Sequence, residues 1–588
     1  MPSNTALQIS QRRMLLACLG AGAGLVLWQL AENWDNPHLP PSLYLALLSF
    51  CGSYATLALA LVGPVQARHA LPGALLLALP FAGLVSLAGR RYDVALDVLE
   101  HPILVSVSML LLVISTPFLS VSLQDRQSWR DYAALFETAW ALTIRYLLAW
   151  VFVGLFWLLM FLSDTLLTLV DIDILDRVMD TEWLVSALTG GVLGLAMAVI
   201  YELRTSVSPF LLLRLLRLLV VPVVVVVAIF LTAIPMRGIS QVFGDFSAAA
   251  TLMSVAMVMI TLVAVVLERD DARMRKSFTI TQATRLMVLL LPLVTGLAAW
   301  SIWLRVSDYG WTPDRVLAAC VGGVLVAYGM LYALAVLRGT LWAAYIRRSN
   351  VALAMGMIAI SMALLSPVLN VDRISANSQL SRYLDGRLAL EELPLWDMQH
   401  EWGQAGQAAI VALENSPKGQ SPDLIERLVK LRATDNRWVF ARDLQQDDPE
   451  AVMAQIVEQT QVRPVGQMLT VEDLEGLTMS DMTPWLKGCQ ISQSEDRTGC
   501  ILILDQFDPT EARQGLLIYA SPRRNRTATT HHLVMDSQKG ARMGPTIVLN
   551  GDHLTKAAFG SILNGDFTVG LSSYRTLHVG GVEIMPLP

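Results

Sequence analysis

Eleven apolar runs lie between Met14 and Asn370 of this 588-residue chain, opening with Met14–Leu30 and closing with Val351–Asn370. A helix of roughly 17–25 apolar residues crosses the hydrocarbon core of a bilayer. Backbone N–H and C=O groups find no water there, so such runs take the helical form that satisfies them internally. Composition agrees: 54% of residues are hydrophobic and 16% charged, against about 25% charged in soluble domains. A disordered chain, a disulfide scaffold and a single soluble globule are excluded. The net charge of −6 also excludes a nucleic-acid binder driven by bulk charge.

Charge is distributed unevenly. Through Asn370 there are 23 Lys+Arg and 21 Asp+Glu, and from Val371 onward 20 and 28. The break predicts a multi-pass transmembrane domain over 1–370, with about eleven helices. An α+β soluble domain is expected over 371–588, helical through 460 and strand-rich from 465. Strand-like runs there are Ile501–Asp505, Leu516–Ala520, His532–Met535, Thr546–Leu549, Thr568–Leu571 and Val582–Ile584, with one helix, His553–Leu563, among them. They are read as one mostly antiparallel sheet. Asp423–Arg432 and Asp448–Gln459 read as helices.

Loop charges set orientation. With the N-terminus cytoplasmic, inner loops hold sixteen Lys/Arg and outer loops six, the pair Arg90-Arg91 being the main dissent. Arg12-Arg13 before the first run reads as the flank of an uncleaved span. Eleven spans then place the C-terminal domain in the periplasm. Cys489 and Cys500 flank a polar stretch, Gln490–Gly499, that reads as a hairpin loop. A disulfide between them suits an oxidising compartment. Cys18, Cys51 and Cys320 read as packing residues within spans.

Ionisable groups inside the spans are few. Glu137 and Arg145 lie near the start of the fifth, and Arg145 is read as snorkelling toward headgroups. Pro80, Pro117, Pro222, Pro292 and Gly322-Gly323 interrupt runs, as broken helices at transport sites do. Gly20/Gly24 and Gly190/Gly194 have the spacing that allows close helix approach. Ser208–Arg217 and Glu268–Arg285 read as positively charged inner-surface anchors. In the soluble part no GxSxG, HExxH or Walker motif occurs, and no cofactor is expected. His531-His532 sit on a strand, where neighbours point to opposite faces and make a poor metal pair. Asp552-His553 reads as a helix cap, and Arg523, Arg524 and Arg526 as a basic turn.

GLFWLLMFL at Gly154–Leu162, AIPMRGI at Ala233–Ile239, LRVSDYGWTPDR at Leu304–Arg315 and SPVLNVDRISANSQLSRYLDGR at Ser366–Arg387 carry a resemblance. Over roughly Ala134–Gly406 the chain resembles the bacterial membrane proteins grouped as domain of unknown function 4153. That resemblance implies a bacterial inner membrane and no particular activity. The matched strings have their own physical reading. Asp308, Tyr309, Trp311 and Asp314 fall in a short outer loop, where Tyr and Trp suit the headgroup level. Thr312-Pro313 reads as an N-cap and first turn. Asp372, Arg373 and Gln379, just after the last span, would meet this loop and complete an outer-face polar site.

Three functions follow from these features. A non-enzymatic envelope scaffold would act through its C-terminal periplasmic domain, with the lipid bilayer and an envelope protein or cell-wall component as partners. A transporter or channel would use the Pro- and Gly-interrupted spans. A membrane-embedded enzyme would act on a lipid-linked substrate through the outer-loop acids.

Overall fold

A computed structural model describes residues 2–34, 39–170, 172–203, 215–237, 248–267, 278–339, 341–444, 449–491, 499–508, 513–521, 528–536, 540–548, 554, 556–570, 576–579 and 582–586. Arg204, Arg214, Arg269, Arg273, Arg275, Lys276, Arg523, Arg524, Arg526, Asp552 and His553 lie outside them, so the inner-surface anchors are covered only in part and the basic turn and the Asp552-His553 cap not at all.

Among the described residues, eleven helices are long and apolar enough to cross a membrane. They are α1 (Pro2–Glu32), α2 (Pro41–Leu61), α3 (Ala67–Gly89), α4 (Pro102–Gln124), α5 (Tyr132–Thr168), α6 (Glu182–Glu202), α7 (Val220–Arg237), α8 (Ala248–Leu267), α9 (Phe278–Tyr309), α10 (Pro313–Leu337) and α11 (Trp342–Leu365). Their starts follow local chemistry. The Asp131 side chain accepts from the Ala133 N–H at the head of α5, and the Thr312 hydroxyl accepts from the Arg315 N–H at the head of α10, with Pro313 in the first turn. Pro80, Pro117 and Pro292 lie inside α3, α4 and α9, which run through them unbroken. Gly322-Gly323 likewise lies within continuous α10. The interruptions expected from sequence are absent at these positions, as proline is tolerated within membrane helices.

The spans pack as two groups. Leu16, Leu57, Ala74, Ala149 and Met197 join α1, α2, α3, α5 and α6. Val224, Met259, Leu291, Tyr332 and Ile346 join α7 through α11. A third cluster, including Leu45, Val85, Leu104, Val316 and Leu365, ties the groups together. Within the first, α1 and α6 meet through the glycines of both small-residue motifs. A Cβ on Gly20 would lie 1.9 Å from the Gly190 carbonyl oxygen, and one on Gly24 2.1 Å from that of Ser186. The two motifs are therefore each other's partners. Cys18 differs from its expected packing role: it is exposed on α1, while Cys51 and Cys320 are half-buried.

Two more helices, α12 (Val371–Leu384) and α13 (Gly403–Glu414), belong to this unit, which ends at Leu424. The compositional break at Asn370–Val371 is thus not where contacts divide the chain. Composition registers the exit from lipid, whereas α12 and α13 stay bound to loops at the ends of the spans. The Gln404 N–H donates to the Arg91 carbonyl at 2.8 Å, and the Gln407 amide donates to Asp93 at 2.7 Å.

The second unit, Ile425–Pro588, is α+β. Helix α14 (Pro422–Arg432) crosses the division, followed by α15 (Arg437–Leu444) and α16 (Pro449–Gln459). Strands β1 (Gln461–Arg463), β2 (Cys500–Leu504), β3 (Gln514–Ala520), β4 (Ala528–Asp536) and β5 (Gly540–Gly544) form a sheet in that order, β1 parallel to β2 and the rest antiparallel. A second, antiparallel sheet has the order β6 (Thr546–Val548), β9 (Val582–Pro586), β8 (Thr576–Val579), β7 (Thr568–Gly570). The single sheet read from sequence is therefore two.

Alternation puts Leu502, Leu517 and Leu533 in a core with Trp485 of α17 (Met479–Gln490), and Ile501, Leu516 and Ile518 in another with Phe559 of α18 (Lys556–Asn564). The five-stranded sheet is thus covered on both faces. Cys489 and Cys500 form a disulfide. It ties the last turn of α17 to the first residue of β2; most of the expected hairpin loop, Gln490–Gly499, lies outside the described residues.

Candidate functional site

The loop between α9 and α10 and the start of α12 do come together. Gly310 takes φ +73°, a left-handed conformation suited to glycine, and turns the chain so that four carbonyls face α12. The Gln379 amide donates to the carbonyls of Tyr309 and Trp311 at 3.1 and 2.8 Å. The Arg382 guanidinium donates to those of Ser307, at 3.0 Å, and Asp308. Arg315 reaches back to Tyr309 and Gly310 at 3.1 and 2.8 Å, and the Trp311 N–H donates to the Ser378 hydroxyl at 3.1 Å. Helix α12 is set for this by its cap: the Asn370 side chain accepts from the N–H groups of Asp372 and Arg373. Each side-chain donor thus satisfies a carbonyl that the turn leaves without a partner.

The acids of the expected site do not share one environment. Asp308 and Asp314 are exposed, as are Tyr309 and Arg373, while Trp311 is half-buried. Asp372 and Gln379 are buried, at 4% and 3% exposure. Asp372 faces the loop before α4 instead. The Tyr92 hydroxyl donates to its carboxylate at 3.3 Å, and the Tyr92 ring stacks on His101 at 4.5 Å. Beside them, buried Arg91 donates through Nη2 to the carbonyls of Leu364 and Ser366, both at 2.6 Å, at the end of α11. Its Nε and Nη1 are enclosed without a hydrogen-bond partner.

Sequence reading left out Arg91, Tyr92, Ser378 and Arg382. One signal did point to the first: the Arg90-Arg91 pair ran against the loop-charge pattern. A buried arginine holding helix-end carbonyls answers a structural need that the charge rule does not weigh.

Burial raises the Asp372 carboxyl above the usual aspartate range, against the opposing pull of the Arg91 guanidinium. Burial lowers Arg91 and raises Tyr92. The folded protein therefore holds a proton on Asp372 at pH values where the unfolded chain has released it. This contribution to stability is present at low pH and lost as pH rises through the Asp372 titration. Relative to Asp372→Asn, the wild type should lose thermal stability as pH rises from about 4, the ordinary aspartate value, toward neutrality. Parallel melting curves for the two proteins across that range would refute this account.

Arg145 departs from the snorkelling expected of it. It is 4% exposed and donates to three carbonyls: Met197 at 2.8 Å and Ala60 and Val62 at 3.0 Å each. Ala60 and Val62 lie at the C-terminal end of α2, where helix carbonyls lack partners and carry the negative end of the dipole, and Met197 lies five residues before the end of α6. The guanidinium also lies 5.5 Å from the Tyr201 ring, which Arg12 approaches from 5.3 Å. Arg13 pairs with Glu202 at 2.5 Å. Glu137 is exposed on α5, so the structure does not bring it together with Arg145 in the protein interior.

In the second unit His531 and His532 serve opposite faces of β4. His531 Nε2 lies 3.2 Å from the Tyr519 hydroxyl, and His532 Nε2 lies 2.8 Å from Gln514 Oε1.

No curated protein and no solved structure gives a significant match to this chain. The family described as "Domain of unknown function (DUF4153)" matches residues 21–393. That stretch begins in α1, so it takes in part of the first span and all of the next three, which the resembling strings did not reach, and it runs past α12. A family match over well more than half of the chain, across ten complete spans and the loop–α12 junction, shows that this multi-pass membrane protein belongs to the DUF4153 family.

Proposed function

We propose that this protein is a non-enzymatic scaffold of the bacterial inner membrane. Its N-terminus is cytoplasmic, and its C-terminal unit engages an envelope component in the periplasm. The observation that carries this reading is the use made of the polar side chains around the α9–α10 loop. Gln379, Arg382, Arg315 and Arg91 all donate to the chain's own carbonyls. Such an arrangement supports a rigid junction more than a reaction centre, which needs groups converging on a reacting atom. Continuous helices at Pro80, Pro117 and Pro292 weigh against the transport reading. The Cys489–Cys500 disulfide favours an oxidising compartment for the second unit.

Native mass spectrometry of the protein extracted gently from its own membranes tests the proposal. A stoichiometric envelope partner is expected, and it should be lost when 425–588 is deleted. Alanine at Asp308, Asp314 and Arg373 should leave abundance and partner binding unchanged. A bare protein carrying only lipid, or loss of cellular function in those alanine variants at normal abundance, would overturn it. An impermeant thiol reagent, applied to intact spheroplasts, should label a cysteine placed at exposed Trp438 (Trp438→Cys); protection would place the unit on the other side.

A further inference from the structure

The second unit contains a cleft of about 920 Å³, within the range of about 300–1,000 Å³ that small-molecule sites occupy. It lies at the seam of the unit. One wall is the ends of the parallel pair β1 and β2, with Arg463, Asp505 and Gln506, and the other is the turn from α18 to β7, with Asn564 and Phe567. Arg513 closes one side and is held there by its ion pair with Asp473, at 2.9 Å, and a bond to the Met468 carbonyl at 2.8 Å.

Three features bear on what such a cleft would hold. Gln506 and Asn564 are exposed at its edge, and side-chain amides present a donor and an acceptor together, as pairs of hydroxyl groups require. Phe567 is half-buried against the core, and an aromatic ring offers apolar area to the C–H face of a sugar ring. Arg463 lines the cleft with its Nε enclosed, so the terminal Nη groups of its guanidinium are the donors that a carboxylate in the cleft would meet in two-point contact. With Arg513 paired to Asp473, Arg463 is, among the described residues, the lining cation left to meet an acid.

We infer that this cleft binds a short saccharide bearing a carboxylate, the acid seated on Arg463 and the hydroxyls on Gln506 and Asn564. The inference rests on the scaffold reading and names the chemistry of its envelope partner.

The test is calorimetric titration of the full-length protein in detergent with trigalacturonate, with maltotriose and inorganic phosphate as comparisons. Trigalacturonate should bind, and maltotriose should bind at least tenfold more weakly. Arg463→Gln should cost at least tenfold in trigalacturonate affinity, and Gln506→Ala, an exposed position that leaves the fold intact, several-fold. Absence of trigalacturonate binding, equal affinity for maltotriose, phosphate binding of similar strength, or unchanged affinity in the Gln506→Ala protein and in a folded Arg463→Gln protein would each overturn the inference. Retention of a protein partner by both variants in native mass spectrometry, alongside such a failure, would leave the scaffold reading standing and the saccharide assignment refuted.

Discussion

Leucine in place of Gly190 is expected to destroy the pairing of α1 with α6 and to prevent accumulation of folded protein. Built on the existing backbone, a Cβ at this position lies 2.0 Å from the Gly20 carbonyl oxygen and 3.3 Å from the Gly24 nitrogen. Both obstacles are backbone, so no rotamer change in a neighbour relieves them. Ordinary overpacking costs about 1–3 kcal/mol, and an obstacle that cannot move places this substitution at or above about 3 kcal/mol. Gly20→Leu should behave alike, because its Cβ meets the Gly190 carbonyl at 1.9 Å. Gly22 supplies the control: it lies on the same helix, and nothing stands within 4 Å of a Cβ there, so Gly22→Leu should leave the protein intact. Melting temperature and yield in detergent separate these cases. Normal folding of Gly190→Leu, or equal damage from Gly22→Leu, would show that the contact does not join these helices.

Arg145→Met should be the most damaging change to a single polar side chain. Its guanidinium is the common partner of three carbonyls, two at the end of α2 and one in α6, and the methionine offers none of them a donor. An unmade hydrogen bond to a buried group costs about 1–3 kcal/mol. Three such losses are offset in part by the removal of a charge that is itself expensive to bury. A net loss of about 2–4 kcal/mol is expected. Arg145→Lys should recover only a minority of it, since one ammonium on a shorter stem cannot reproduce a planar fork aimed at three acceptors. Thermal denaturation of the three proteins in one detergent measures this directly. A methionine variant as stable as the wild type would mean that the carbonyls find other partners, and that the arginine serves another purpose.

Both expectations depend on which elements meet, and this is where sequence reading stopped. The glycine spacing at Gly20/Gly24 and Gly190/Gly194 was legible, because close approach of helix backbones demands small residues at that interval. That the two motifs face each other was not, since a span carries no mark of its partner in its own residues. Arg145 was legible as an ionisable group in an apolar run. Whether it reaches headgroups or the carbonyls of other helices depends on where α2 ends and α6 passes, which the order of residues in α5 does not encode. In the second unit, β1 with three residues, β5 with Gly540 and Gly544, and β8 escaped detection. Short or glycine-bearing strands owe their existence to pairing with neighbours more than to their own side-chain pattern.

Sequence alone determined the eleven spans and the polar C-terminal part, because hydrocarbon imposes length, apolarity and internal hydrogen bonding on every crossing segment. It also determined local devices read from adjacent residues, such as the Thr312-Pro313 helix start. Only the tertiary structure decided that α12 and α13 belong with the spans, that Asp372 turns to Arg91 and Tyr92 and away from Asp308 and Asp314, and that the strands divide into two sheets. Those outcomes hang on contacts between residues up to hundreds of positions apart, chosen by which buried donors and carbonyls lack partners once the helices have packed.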